Sequence, residues 1–315
     1  MSDPDIFNDP YLISFKDIIM SRRSSAVALE QKLEKMANGS LQSYADYHEI
    51  FGLHFEKDSW VFREWAPNAS KMFIVCEKTA WQKKPDFQLE KKSSQIFEKW
   101  FPKELFSHGD LFRLKVVWPG GEGDRIPTAA TRVIQDPDTL IFNAQVWHPE
   151  DKYEWNLKEK LPLEDSLLIY EAHIGMALED GRVGTYKEFE HHILPKIKDN
   201  GYNAIQLMAI QEHPYYASFG YHVANFFAPS SRFGTPEELK SLIDAAHQMG
   251  IRVFMDMIHS HAVRNEVEGI SRFDGTCYQF FHDGPKGQHL LWDSKCFNYQ
   301  KPEVLKFLLS NLKFW

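Results

Sequence analysis

From residue 167 onward, short apolar runs alternate with capped amphipathic helices, and this rhythm limits the folds open to the chain more than any other feature. Leu167 to Tyr170 reads as a short buried strand. Thr185 then opens a helix with Glu188 three residues on, a capping box in which each side chain bonds the other's backbone N–H, and Phe189, Ile193, Leu194 and Ile197 form its apolar face. A second strand covers Ala204 to Met208. A second capping box stands at Thr235-Pro236-Glu237-Glu238, with proline at the first helical position; Leu239, Leu242, Ile243 and Ala246 line that helix and Gly250 stops it. A third strand is predicted over Ile251 to Met257, and a third helix from Pro302, faced by Leu305, Leu308, Leu309 and Leu312. Strand and helix in alternation imply βαβ units and a parallel sheet. The turn after the first strand, His173-Ile174-Gly175-Met176, lacks the glycine fingerprint of a doubly wound dinucleotide fold. The long loops after strands two and three carry Tyr, His, Phe and Trp, as the C-terminal face of a (β/α)8 TIM barrel requires.

The preceding residues follow other rules. Phe15, Ile18, Ile19, Ala26, Leu29, Leu33 and Met36 recur at helical spacing, so one helix is expected over 10–37, ended by Asn38-Gly39. Residues 48–135 hold short aromatic and β-branched runs, including Trp60-Val61-Phe62, Met72 to Val75 and Leu111 to Trp118, separated by turn clusters such as Ala66-Pro67-Asn68 and Pro119-Gly120-Gly121. A small β-sandwich is expected there. The expected division is a helical segment over 1–47, a sandwich over 48–135, a proline-bearing linker over 136–166, and about three βα units of an incomplete barrel over 167–315: an α/β architecture joined to an all-β one.

A net charge of -8 disfavours a nucleic-acid partner, whose phosphates need clustered Lys and Arg. Aromatic residues make up 14%, with 9 Trp, which suits either a large aromatic core or stacking against sugar rings. Three widely spaced cysteines suggest neither disulfide framework nor zinc site. No secretion signal or membrane-length apolar run is found, so a reducing cytoplasm is the expected compartment.

Two stretches carry the chemistry: residues 209 to 240, AIQEHPYYASFGYHVANFFAPSSRFGTPEELK, and VFMDMIHSHA at 253 to 262. Asp256 ends a strand and His261 lies just beyond it, at a barrel mouth. His259 and His261 form an H-x-H pair that Asp256 could assist in binding a metal. The pair follows the third strand, however, and the further ligands such barrels need are not apparent, so no metal and no cofactor is expected. Hydrogen bonds to loop carbonyls are the simpler reading of both histidines. The other functional reading is a sugar site: His261 donating to a hydroxyl, Tyr221 stacking on a pyranose ring or merely anchoring its loop, and Asp256 holding neighbouring groups.

Residues 167 to 315 resemble the catalytic domain of eukaryotic-type glycogen and starch branching enzymes of the α-amylase superfamily. The resemblance rests on LLIYEAHIGM, the run from ILPKIKDNGY through DMIHSHA, GISRFDGT and LLWDSKCFNY. It implies that Asp256 and His261 occupy the family's first conserved region, and that Tyr221 is its stacking tyrosine. The run ASFGYHVANFFAPSSRFGTP resembles branching enzymes in particular, rather than debranching or amylase-type hydrolases. FREWAPNASKMFIVCEKTAWQKK is similar to the family's preceding glucan-binding sandwich. Through it Trp65, Ala66 and Pro67 match an EWAP segment and Trp81 a stacking tryptophan, although Ala80 stands where the family usually has glycine. Asn38, Arg125, Glu303 and Lys306 match glucan contacts more loosely, a solvated surface position being the simpler reading of each.

The resemblance further implies transfer of an α-1,4-glucan segment to a 6-hydroxyl with retention of configuration, which needs two closely spaced carboxyl groups. In the family these come from strands four and five, the nucleophile within a GFRFDG-like phrase. Neither is found here, so catalytic residues are expected to be absent from residues 1–315, and the chain to be inactive alone. A truncated gene, an incomplete gene model, or a second polypeptide supplying the rest of the barrel would each account for such a chain. A non-catalytic glucan-binding protein is the alternative.

Overall fold

A computed structural model describes residues 9–92, 95–158, 161–162 and 166–315. The expected first helix divides into a single 3-10 turn at Ile13–Phe15 and α1, Lys16–Ala37. Asn38 closes α1 in the left-handed conformation at φ 50, donating its N–H to the carbonyls of Glu34 and Lys35. Of the predicted apolar face only Leu33 is buried; Phe15, Ile18, Leu29 and Met36 are exposed. Two one-turn helices follow, α2 (Leu41–Tyr44) and α3 (Tyr47–Ile50).

The sandwich is present and reaches further than expected. Its strands are β1 (Gly52–Glu56), β2 (Ser59–Trp65), β3 (Lys71–Cys76), β4 (Glu90–Lys91), β5 (Ile96–Pro102), β6 (Leu111–Trp118), β7 (Gly121–Arg125), β8 (Val133–Gln135) and β9 (Phe142–Gln145). One sheet runs β1-β2-β5-β4, the other β3-β6-β9-β8 with β7 on β6. Because β9 pairs antiparallel with both β6 and β8, the sheet continues past position 135 into the stretch expected as linker. The alternation visible in β6 is the alternation of its faces: Phe112, Leu114 and Val116 are buried between the sheets, while Arg113 and Lys115 reach outward to Asp124.

Beyond it, β10 (Ile169–Ala172), α4 (Tyr186–Glu188), α5 (Leu194–Asp199), β11 (Ala204–Leu207), β12 (Gln211–Glu212), β13 (Asn225–Pro229), α6 (Pro236–Gln248) and β14 (Arg252–Met255) follow in order. Both capping boxes form as read, at Thr185/Glu188 and Thr235/Glu238. A π-helical turn at Phe189–Ile193 separates α4 from α5, ahead of Pro195, which cannot donate to the helix ladder. The sheet β10-β11-β14 is parallel throughout. In its register Glu171, Gln206 and Phe254 share one face, while Ile205, Leu207, Val253 and Met255 turn to the other and pack with Phe189, Ile197, Leu239 and Leu242 of the helices.

Two expectations fail here. Leu167, Leu168, Ile169 and Tyr170 are exposed, because β10 has a partner on one side only among the described residues. The last helix, α7 (Pro302–Phe314), preceded by β15 (His261–Val263), β16 (Gln288–His289) and β17 (Ser294–Cys296), buries Val304, Phe307 and Leu308, whereas Leu312 is exposed and Leu305 and Leu309 are half-buried. Phe307 meets Tyr47, Phe226, Phe227 and Phe280 instead of the parallel sheet. α7 therefore belongs to a core that runs from the sandwich through Phe226, Phe273 and Phe297 without a break.

Candidate functional site

The C-terminal ends of the parallel strands bring three residues together. β14 stops at Met255, and the Asp256 N–H still bonds the Leu207 carbonyl at 3.0 Å, so its side chain is fixed at the sheet's rim. Tyr221 reaches that rim from the β12–β13 loop and donates its hydroxyl to Asp256 Oδ2 at 2.6 Å; Gln206 Nε2, from β11, donates to Asp256 Oδ1 at 2.9 Å. Burial, the bond to Asp256 and the negative field of Asp256 and Glu171 push the Tyr221 phenol up, keeping it protonated as the donor. Gly220 makes this approach possible: at φ +89 a Cβ would lie 1.8 Å from the Ala209 carbonyl oxygen.

His261 is oriented from both sides. Its Nε2 lies 2.9 Å from the Tyr221 carbonyl, which only accepts, so this nitrogen carries the proton; Nδ1 then accepts from Ser260 Oγ at 2.8 Å. Burial lowers its pKa and favours the neutral ring, which has one N–H to give. That N–H is spent on the Tyr221 loop. The bond ties His261 to the backbone of Tyr221, and both residues border the same cavity. His259 has its own partner, Asn311 Oδ1 at 2.8 Å. Among the described residues no group of three or more His, Cys, Asp or Glu could hold a metal ion. Beside the cluster lies a cavity of about 420 Å³ bounded by Tyr215, Ser218, Tyr221, His222, His261 and Trp292.

The other expected residues fall elsewhere. Trp81, in the left-handed region at φ 59 directly after Ala80 at φ 52, borders a cavity of about 360 Å³ with Lys78, Phe106 and Asp110, and the Arg113 guanidinium lies 4.9 Å from its ring centre. Trp65, Ala66 and Pro67 belong to a seam between sandwich and C-terminal segment. Ala66 is fully buried, and the Trp65 carbonyl accepts from Gln279 Nε2 at 2.6 Å. Arg125 is a correction to both readings of it: 2% exposed, it is neither solvated nor open to a glucan. Its Nε and Nη2 donate to the Arg272 carbonyl at 3.1 and 2.7 Å, with the ring of Trp118 at 4.9 Å. Lys306 pairs with Asp46 and lies 5.2 Å from the Tyr44 ring centre, while Glu303 and Asn38 are exposed. Sequence reasoning missed Gln206, Ser260 and Trp292; the single polar residue inside the apolar run Ala204-Ile205-Gln206-Leu207 was the available signal for the first.

Comparison with known proteins finds two matching family models and a set of similar chains. A family model for the alpha amylase catalytic domain matches residues 183–308, and one for carbohydrate-binding module 48, the isoamylase N-terminal domain, matches 50–137. A 1,4-alpha-glucan-branching enzyme of Dictyostelium discoideum is 42% identical over 98% of this chain and 46% of its own length. One from Rhizophagus irregularis is 44% identical with the same shares, and the chloroplastic/amyloplastic enzyme 2-2 of Arabidopsis thaliana is 40% identical over 98% of this chain and 39% of its own. The chain thus spans less than half the length of these curated relatives. Among solved structures, a pullulanase from Paenibacillus barengoltzii complexed with maltotetraose superposes with TM-score 0.69 at 16% identity, covering 86% of this chain and 48% of that one. A pullulanase from Bacillus acidopullulyticus gives 0.65 at 20% identity, with shares of 84% and 36%. At such identities the two structures speak for the fold alone.

Proposed function

For a chain homologous to the 1,4-alpha-glucan-branching enzymes over 98% of its length, we propose that it serves α-1,4-glucan branching in glycogen-type biosynthesis, contributing substrate binding and positioning. In this reading β10, β11 and β14 with their helices are the opening units of a (β/α)8 barrel, and the face carrying Glu171, Gln206 and Asp256 is its interior. The observation that carries the reading is the Tyr221–Asp256–Gln206 cluster at the strands' C-terminal ends, where barrel enzymes keep their sites. Asp256 accepts from two side chains, which holds the Tyr221 ring ready to stack on a glucosyl unit. Retaining transfer needs two carboxyl groups about 5–5.5 Å apart across one sugar, and a carboxylate tied in this way acts as a strut. Residues 1–315 alone are therefore expected to bind glucan and not to transfer it, a second polypeptide or further sequence supplying the reacting carboxylates. The compartment proposed is the reducing cytoplasm, in keeping with the free state of Cys76, Cys277 and Cys296.

The test is a pair of assays on the purified 315-residue chain. In a gel containing glycogen its migration should be retarded, and incubation with amylose should generate no new α-1,6 linkages. Branch formation would overturn the assignment of roles, and unretarded migration would overturn the glucan reading itself. A second reading, a purely glucan-binding protein, is favoured by the aromatic cavity at Trp81 within the module-48 segment. Retardation lost on Trp81→Ala and unaffected by Tyr221→Ala would support it.

A further inference from the structure

We propose that Trp292, at the tip of the β16–β17 hairpin, is the second aromatic wall of the Tyr221 cavity and stacks on a glucosyl ring of an α-1,4-glucan; this rests on the glucan reading above. The hairpin is anchored at its base. Arg264 donates through Nη2 to Gln288 Oε1 at 2.8 Å and pairs through Nη1 with Asp293 Oδ1 at 2.5 Å. Beyond that clamp the chain presents Leu290, Leu291 and Trp292, of which Leu291 is 92% and Trp292 52% exposed. Exposed indole is ordinarily free to swing. Here its ring is stacked on His289 at 4.2 Å with 9° between planes and stands 5.1 Å from His261, while the backbone N–H of Trp292 donates to His289 Nδ1 at 3.3 Å and fixes the two residues' relative position.

The indole is therefore held in place while half of its surface stays uncovered. It borders the same cavity as Tyr215 and Tyr221. At about 420 Å³ this cavity falls within the roughly 300–1,000 Å³ usual for small-ligand sites. Flat rings fixed before the ligand arrives lose little rotamer freedom on binding. They suit the apolar C–H faces of a pyranose, and the hydroxyls at the ring's rim are left to solvent and polar neighbours.

The chain is labelled in one preparation with 5-fluorotryptophan and in another with 3-fluorotyrosine, and titrated with maltoheptaose. The Trp292 resonance is assigned through Trp292→Phe and the Tyr221 resonance through Tyr221→Phe. Both resonances should shift saturably with a common midpoint. Trp292→Ala should raise the Tyr221 midpoint about tenfold, and Trp292→Phe, which keeps a ring, by threefold or less. An unmoved Tyr221 resonance in the ligand-free variants checks that the fold is intact. If Tyr221 responds while Trp292 does not, or if Trp292→Ala leaves the Tyr221 midpoint within twofold, the inference is overturned and the glucan reading stands. If neither resonance responds, the reading of this cavity as a glucan site falls, and the inference with it.

Discussion

Glu64 shows how a single residue is read differently once its surroundings are known. In the sequence it is one letter of an EWAP segment; in the fold it is fully buried, accepting from Thr128 N at 2.9 Å, from Thr128 Oγ1 at 2.5 Å and from Trp65 N at 3.1 Å. Burial outweighs these donors and pushes its carboxyl up to about 7. Below the ordinary value of 4.5 both folded and unfolded chains are protonated and the group is neutral to stability. Between 4.5 and about 7 the unfolded chain releases a proton that the folded chain keeps, so stability falls as pH rises through this window and levels off above it. At about 1.4 kcal/mol per pH unit the loss is about 3 kcal/mol. Glu64→Gln cannot titrate. Its urea-unfolding free energy should gain on wild type by that amount as pH goes from the lower to the upper end of the window; a pH-independent difference would show the folded carboxyl to be ionised throughout.

Among the elements, those dictated locally were legible. The capping boxes at Thr185 and Thr235, the left-handed stop at Asn38 and the alternation in β6 depend on residues within a few positions of one another. What was not legible depends on contacts made far along the chain. α7 has a leucine stripe at helical spacing, yet it turns Val304 and Phe307 inward, because the aromatic surface offered by Tyr47, Phe226 and Phe227 decides which face pays. Asp256 and Tyr221 could be nominated from motif resemblance, whereas the bond from Gln206 to Asp256 and the His261–Tyr221 carbonyl bond appear only when strand and loop meet. Arg125 is the sharpest case. It ends β7 and joins it to the carbonyls of Arg272 and Phe273, so a residue expected at a ligand serves as a strut between two segments. Arg125→Ala strands those carbonyls and uncovers the Trp118 ring, and should cost about 3 kcal/mol, since each buried polar group left unpaired costs roughly 1–3 kcal/mol. Arg125→Lys should recover less than half, its ammonium lacking the planar fork. Urea unfolding of the three proteins measures both, and an Arg125→Ala change within 0.5 kcal/mol or so of wild type, as for an ordinary surface position, would return the residue to the surface.

At the scale of the whole molecule, the two halves are covered to different degrees. The sandwich, α3 and α7 share one aromatic core, whereas the parallel sheet has helices on one face, an open face bearing Glu171 and Phe254, and a free edge on both β10 and β14 among the described residues. Leu167, Leu168, Ile169 and Phe254 are exposed along those borders. Parallel sheets are ordinarily covered on both faces, and unpaired edges flanked by apolar side chains recruit other chains. The polypeptide of residues 1–315, taken alone, should therefore self-associate through this sheet while its sandwich remains folded. Light scattering on a sizing column should show an apparent mass that rises with loading concentration. Leu168→Lys combined with Phe254→Lys should hold it at the monomer value, because a charge beside a free edge or on an open face opposes stacking and strand addition without touching the core. The same pair leaves Trp81 and its cavity untouched, so retardation by glycogen through the sandwich should persist. A mass that stays monomeric for the unmodified chain at every concentration would mean that the borders of the parallel sheet are covered in solution and do not recruit a second copy.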